Sequence, residues 1–137
     1  MLKNLFAAVL LAGSLVLGGC AGTDDGILSA EEQVVKLRQM QSRTYDTTDK
    51  VMVMRAVLST FQDLGFIIDR ADEAMGVISA TQFANVKMTV SVRVAGNQTI
   101  VRANAQYGMQ AVEEPKPYQN FFNALSQSLF LAGHEVD

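Results

Sequence analysis

Strict alternation of apolar and polar residues is clearest from Val86 to Val94. Val86, Met88, Val90, Val92 and Val94 fall on one side of the chain, and Lys87, Thr89, Ser91 and Arg93 on the other. A period of two predicts a strand with one covered and one open face. The following "AGNQ" supplies Gly96 and Asn97, both able to adopt positive φ, and so predicts a turn. A return strand is expected from Thr99 to Tyr107. Val101, Ala103, Ala105 and Tyr107 face inward there, and Arg102, Asn104 and Gln106 face outward. The central alanines leave room for a helix to approach.

Upstream the period lengthens. Val51, Met54, Leu58 and Phe61 recur at spacings of three and four, with Val57 and Leu64 beside them, which predicts a helix with one apolar stripe. Thr48 is placed to cap it, and Asp49 puts negative charge at the positive end of its dipole. Gly65 closes it as a left-handed C′ residue, with Phe66 placed to pack back on the last turn. Short strands are expected at Met40–Thr47, at Phe66–Asp69 and from Gly76 through "GVISAT", with a polar connection between the last two. Residues 108–116 read as a loop. Pro117 suits the first turn of a final helix carrying Tyr118, Phe121, Leu125 and Leu129, widened by Phe122 and ended by Gly133.

The expected fold is α+β. It is a two-layer domain over residues 40–137, an antiparallel sheet of about four strands with two helices on one face. Residues 1–39 follow other rules. Lys3 and the apolar run Leu5–Leu17 match an export signal, and the run is shorter than the roughly 20 residues a spanning helix needs. Ala21–Gly26 is small and acidic and reads as a tether. Ser29 and Glu32 fit a capping box opening a short helix with Val34, Leu37 and Met40 on one side.

The run ends at Leu17-Gly18-Gly19-Cys20, which resembles a bacterial lipobox and contains the sole cysteine. The resemblance implies cleavage of residues 1–19, a diacylglyceryl thioether on Cys20 and acylation of its new amino group. Two or more acyl chains anchor a protein without spanning the bilayer. The residue after the cysteine is Ala21 rather than aspartate. By the same resemblance this favours the outer membrane, with the domain facing the periplasm and 20–39 forming the lipidated start and tether. "RQMQSRTYDTTD" (38–49), "FQDLGFIID" (61–69), "GVISAT" (76–81) and "YQNFFNALSQSLFL" (118–131) resemble a family of small proteobacterial outer-membrane lipoproteins. That resemblance implies no catalytic residue. The element order is also similar to the helix-grip domains of accessory lipoproteins in the outer-membrane β-barrel assembly machinery, a likeness of fold alone.

Charge and composition narrow the function. The formal net charge is −3, and setting Lys3 aside with the leader makes the remainder more acidic. A nucleic-acid binder would carry a clustered basic excess, so no nucleic-acid partner is expected. One cysteine excludes an internal disulfide and any multi-thiolate metal site. His134 is the sole histidine and sits at the end of the last helix, which leaves little for a nucleophile–histidine arrangement. Asp69, Asp72 and Glu73 lack the ligand spacing of a calcium loop. Glu113 and Glu114, adjacent in a loop, do not converge as an acid/base pair. Met52 and Met54 read as core and flank. Neither a catalytic residue, a metal nor a cofactor is expected.

Two candidate contact sites remain. Lys87, Arg93, Arg102, Asn104 and Gln106, with Thr89 and Ser91, share the open face of the sheet and suit a docking surface. Arg43 and Tyr45 lie on the first strand, which as an edge offers its backbone to a partner strand. The expectation is a lipid-anchored, non-enzymatic accessory or binding module of the cell envelope, held to the membrane by its anchor and contacting an envelope protein. An envelope-remodelling hydrolase, or a subunit of a transport or efflux assembly, is the alternative.

Overall fold

A computed structural model describes residues 24–83 and 85–133, with side chains from residue 29 onward. The leader, Cys20 and His134 lie outside the described residues. The chain runs α1 (Asp24–Met40), β1 (Ser42–Tyr45), α2 (Lys50–Asp63), β2 (Ile67–Asp72), β3 (Val77–Gln82), β4 (Val86–Ala95), β5 (Gln98–Tyr107), β6 (Gln110–Ala111) and α3 (Pro115–Ala132).

Helix α2 shows how local signals set boundaries. Asp49 is its N-cap, accepting a hydrogen bond from the Met52 amide at 3.0 Å. The cap therefore falls one residue later than the Thr48 cap expected from sequence. Thr47 instead bonds the Asp49 amide through Oγ1 at 3.1 Å. At the other end the Phe66 amide donates to the Phe61 carbonyl at 2.8 Å and the Gly65 amide to Gln62 at 3.1 Å, with Gly65 at φ 79°. This is a Schellman closure, and its apolar contact is present: the Phe61 and Phe66 rings lie 5.2 Å apart.

The sheet is antiparallel, in the order β1-β5-β4-β3-β2, with β6 also paired to β5. It has six strands where about four were expected, and the described residues form three helices where two were expected. The extra strand β6 is only two residues long and lies inside the predicted loop; so short a run has no detectable period. Helix α1 begins before Ser29, so Ser29 lies inside the helix rather than at its N-cap. The segment expected to be a tether is helical from Asp24. A Glu32–Lys36 pair at 3.0 Å supports α1, and Leu37 packs on the core.

The β4–β5 register runs from Val86↔Tyr107 to Ala95↔Gln98, leaving Gly96 and Asn97 as a two-residue turn. Of the two, only Gly96 takes positive φ. The predicted alternation holds. Met88, Val90 and Val92 are buried with Val101, Ala103 and Ala105, and with Ile78 and Ala80 of β3. Tyr107 keeps its side but not the expected burial: 57% exposed, it stands beyond the buried row that ends at Ala105, and Val94 at the far end of β4 is 39% exposed. Against this face α2 contributes Val53, Val57 and Phe61, and α3 contributes Tyr118, Phe121, Phe122 and Leu125, all buried. Each large apolar side chain buried this way contributes about 1.5–3 kcal/mol by transfer from water. Helix α3 starts at Pro115, two residues before the expected proline, with Pro at its first position.

Strand β5 is paired with β4 along its whole length, so β1 and β6 share its other flank. Between them the flank is closed without a strand. The Ala103 amide donates to the Gln41 carbonyl, the Val112 amide to the Ala105 carbonyl, and the Ala105 amide to the Tyr118 hydroxyl. On the opposite edge, β2 carries an irregularity between Ile68 and Arg70 that leaves Asp69 out of register with β3.

Candidate functional site

The outer face of the sheet is built row by row from strand register. Ser42 of β1 lies opposite Arg102 of β5, which lies opposite Ser91 of β4 and then Val77 of β3. One step toward the Gly96 turn, Thr44 faces Ile100, which faces Arg93. One step the other way, Asn104 faces Thr89 and then Ser79, and the Ser79 and Thr89 hydroxyls share a hydrogen bond of 3.2 Å. The next row is Gln106, Lys87 and Thr81. All seven residues predicted for an open face therefore lie together on it, because the period-two pattern fixes their side of the sheet.

The electrostatics of this face are uneven. At the β2 edge the charges are satisfied. Asp72 pairs with Arg70 at 3.3 Å and accepts from the Met75 amide at 2.9 Å. Those contacts, the Met75 amide first, hold its carboxyl below the usual carboxylate range. Asp69 accepts from Thr81 Oγ1 at 2.6 Å. On β4 and β5, Lys87, Arg93 and Arg102 have no carboxylate within 4.0 Å among the described residues. Arg102 has one neutral contact, its Nε donating to Ser42 Oγ at 3.4 Å. Arg93 sits opposite Ile100, two residues from Arg102, so the two arginines are diagonal neighbours across β4 and β5.

Strand β1 ends the sheet order, as expected of an edge. Its two predicted contact residues, however, turn toward the helices. Arg43 places its guanidinium carbon 5.1 Å from the Phe122 ring centroid. Tyr45 shares a 3.2 Å hydrogen bond with Ser126 of α3. Burial raises the Tyr45 phenol above its ordinary pKa, partly offset by Ser126 and Arg43. A partner at this edge would meet backbone and the small side chains of Ser42 and Thr44.

The acidic positions do not converge. Glu113 and Glu114 are exposed before α3, and Glu114 is the N-cap of α3 without a side-chain capping bond. No cluster of three or more metal-ligating side chains occurs among the described residues. Met54 is buried in the core, and Met52 lines an open groove of ≈ 770 Å³ between α2 and α3, beside Arg55, Asp63 and Leu131.

Sequence reasoning missed one feature. Ile67, Phe83, Tyr107 and Met109 are exposed, and register places them at a common end of the sheet. Phe83 and Met109 are 88% and 101% exposed. The available signal was Phe83 and Met109, each a large apolar residue in a short stretch between strands, where polar residues are usual. No helix of the described residues is long and apolar enough to cross a membrane. Compared with family models and with curated proteins, the chain matches none.

Proposed function

We propose that this chain is a lipid-anchored, non-enzymatic binding module of the bacterial envelope, tethered through Cys20 at the periplasmic side of the outer membrane. Its docking surface is the outer face of β4 and β5, carried by Lys87, Arg93, Arg102, Asn104 and Gln106. The observation that supports this most directly is electrostatic. A chain with a net charge of −3 carries three cations on the β4 and β5 part of one sheet face and, among the described residues, gives none of them a carboxylate partner. Rows of hydroxyls and carboxamides surround them, so the face can form many hydrogen bonds without an apolar cavity. The leader pattern and its lone cysteine support the anchor.

Two measurements test this reading. Cys20→Ser should abolish acylation and membrane retention; normal processing of that variant would defeat the anchor. A photo-crosslinking residue at Ser91 should trap a discrete partner in intact cells, and reversing the charge of Arg93 and Arg102 together should erase the adduct. An adduct that survives the reversal, or that forms only from the α2–α3 groove at Arg55, would defeat the docking face. A trapped transport or efflux component would identify the assembly served. A trapped envelope polymer that the purified chain cleaves would replace binding by hydrolysis.

A further inference from the structure

The two ends of the sheet differ in kind. At one end lie the β1–α2 connection, the β2–β3 turn and the β4–β5 turn. Asp46, Asp49, Lys50, Asp72 and Glu73 stand there, with Asp46 accepting from Gln98 Nε2 at 2.7 Å. At the other end lie the α2–β2 connection, the β3–β4 turn and the β5–β6 turn. Residues 64–68, 82–86 and 107–112 supply those three, and none of them is charged. They carry instead Ile67, Phe83, Tyr107 and Met109, all exposed. Gly108, between the last two, holds φ 58°, and a Cβ on it would meet nothing within 4 Å, so that turn stands clear of the body. The first charges behind this row are Asp69, held by Thr81, and Lys87 on the sheet, with Glu113, Glu114 and Lys116 beside it at the start of α3.

A row of apolar tips without charge suits a medium that offers neither water nor a counter-charge. The row spans about 20 Å, four strand spacings from β2 to β6. Its members project from separate turns, so a rigid partner would need a matching trough, whereas fluid acyl chains close around any shape. Together they expose about several hundred Å², short of the roughly 800 Å² per partner of a stable protein interface. A lipid leaflet needs no such area. Apolar side chains enter its headgroup–acyl boundary by about 5–10 Å, and a ring such as that of Tyr107 keeps its polar tip among the headgroups. A leaflet is also within reach of this end. The Ala103 amide of β5 donates to the Gln41 carbonyl at 2.7 Å, and α1, which leads into Gln41, is about 25 Å long. The stretch between Cys20 and α1 adds at most about 14 Å. We propose that Ile67, Phe83, Tyr107 and Met109 form a bilayer-contact site that seats this end of the sheet on the phospholipid leaflet holding the anchor. This rests on the anchored reading above and adds an orientation to it: the end carrying Asp72 and Glu73 faces away from the leaflet.

The chain contains no tryptophan, so an introduced one reports alone. The full chain as purified from cell membranes, carrying Phe83→Trp, Met109→Trp or Met75→Trp, is placed in phosphatidylcholine vesicles with and without acyl chains brominated near the glycerol. Met75 is exposed in the charged β2–β3 turn and serves as the control. Bromine should remove at least about half of the emission from positions 83 and 109 and less than about a tenth from position 75. Replacing part of the lipid by phosphatidylglycerol, or raising the salt, should change that quenching less than about twofold, since no charge takes part. Thermal unfolding checks that each variant keeps the fold. No quenching at 83 and 109, or equal quenching at 75, would overturn the site. So would quenching that requires anionic lipid, which would move the contact to Lys87 and Lys116. An emission shift at 83 that appears only as the protein-to-lipid ratio rises, without quenching, assigns the tips to a second copy and overturns it as well. Vesicle flotation separates this from the anchor. A chain that floats but is unquenched at 83 and 109 keeps the anchor and loses only the seating, whereas a chain that stays behind defeats both.

Discussion

The hydroxyl of Tyr118 accepts a hydrogen bond from the Ala105 amide at 3.2 Å, so one side chain of α3 completes the backbone pairing of β5. The same hydroxyl donates to the Val112 carbonyl at 2.6 Å and accepts from Gln41 Nε2 at 3.2 Å. Tyr118 is fully buried, so no water stands ready to replace these bonds. Tyr118→Phe keeps the ring and orphans the backbone groups. It should destabilise the domain by about 1–3 kcal/mol, read as a lower urea midpoint at constant slope. Hydrogen exchange at Ala105 should accelerate more than at Val90, in the middle of β4. An unchanged midpoint would show that the three bonds contribute little to the fold.

Gly76 and Gly96 offer a matched comparison. Both have positive φ, 71° and 62°. A Cβ on Gly76 would fall 2.3 Å from the Val92 carbonyl oxygen, whereas one on Gly96 meets nothing within 4 Å. Gly96→Ala should cost about 1–2 kcal/mol, the left-handed penalty alone. Gly76→Ala adds displacement of β4 and should cost at least about 3 kcal/mol. Equal losses in denaturant titrations would contradict the close approach.

Helix capping separates two adjacent residues. Asp49→Ala removes the acceptor of the Met52 amide and should cost about 1 kcal/mol. Thr48→Ala removes no side-chain capping bond and should stay within about 0.5 kcal/mol. The reverse order in paired thermal melts would move the cap back to Thr48.

Tyr45 and Asp72 set opposite pH dependences. The Tyr45 phenol is raised, so the folded chain holds that proton more tightly than the unfolded one. Its contribution is present below the unfolded pKa and disappears as pH rises through the folded value. Tyr45→Phe should flatten the alkaline fall in stability that sets in above the unfolded phenol pKa, while giving up the Ser126 bond. Asp72 is lowered, so its contribution is present above the unfolded carboxylate pKa and is lost as pH falls through the folded value. Asp72→Asn should therefore weaken the acid limb of the stability profile and leave the alkaline limb alone. Urea titrations across pH distinguish the two.

The parts legible in the sequence were those written as long periods or as local chemistry. The alternation over Val86–Val94 and Thr99–Tyr107 is enough by itself to put Arg93 and Arg102 on the open face. Gly65 and Phe66 announced the Schellman closure because that motif is built from neighbours. Other features depend on partners distant in the chain. Strand β6 exists because β5 has a free flank, and the inward turn of Arg43 because Phe122 lies beneath it. Tyr107 kept the alternation but ran past the buried row, which periodicity alone does not report. The diagonal relation of the two arginines needed the β4–β5 register, and that register followed from the two-residue turn.

The displaced Asp69 on β2 has a consequence for crowding. An outer strand with regular, unpaired amides is a template on which another polypeptide can extend the sheet. Here the template is broken near its middle, and the residue at the break carries a charge held by Thr81. An incoming strand that matched the first half of β2 would be out of step over the second. Many such domains held at high local concentration would thus slide past one another along this side instead of fusing into a continuous ribbon.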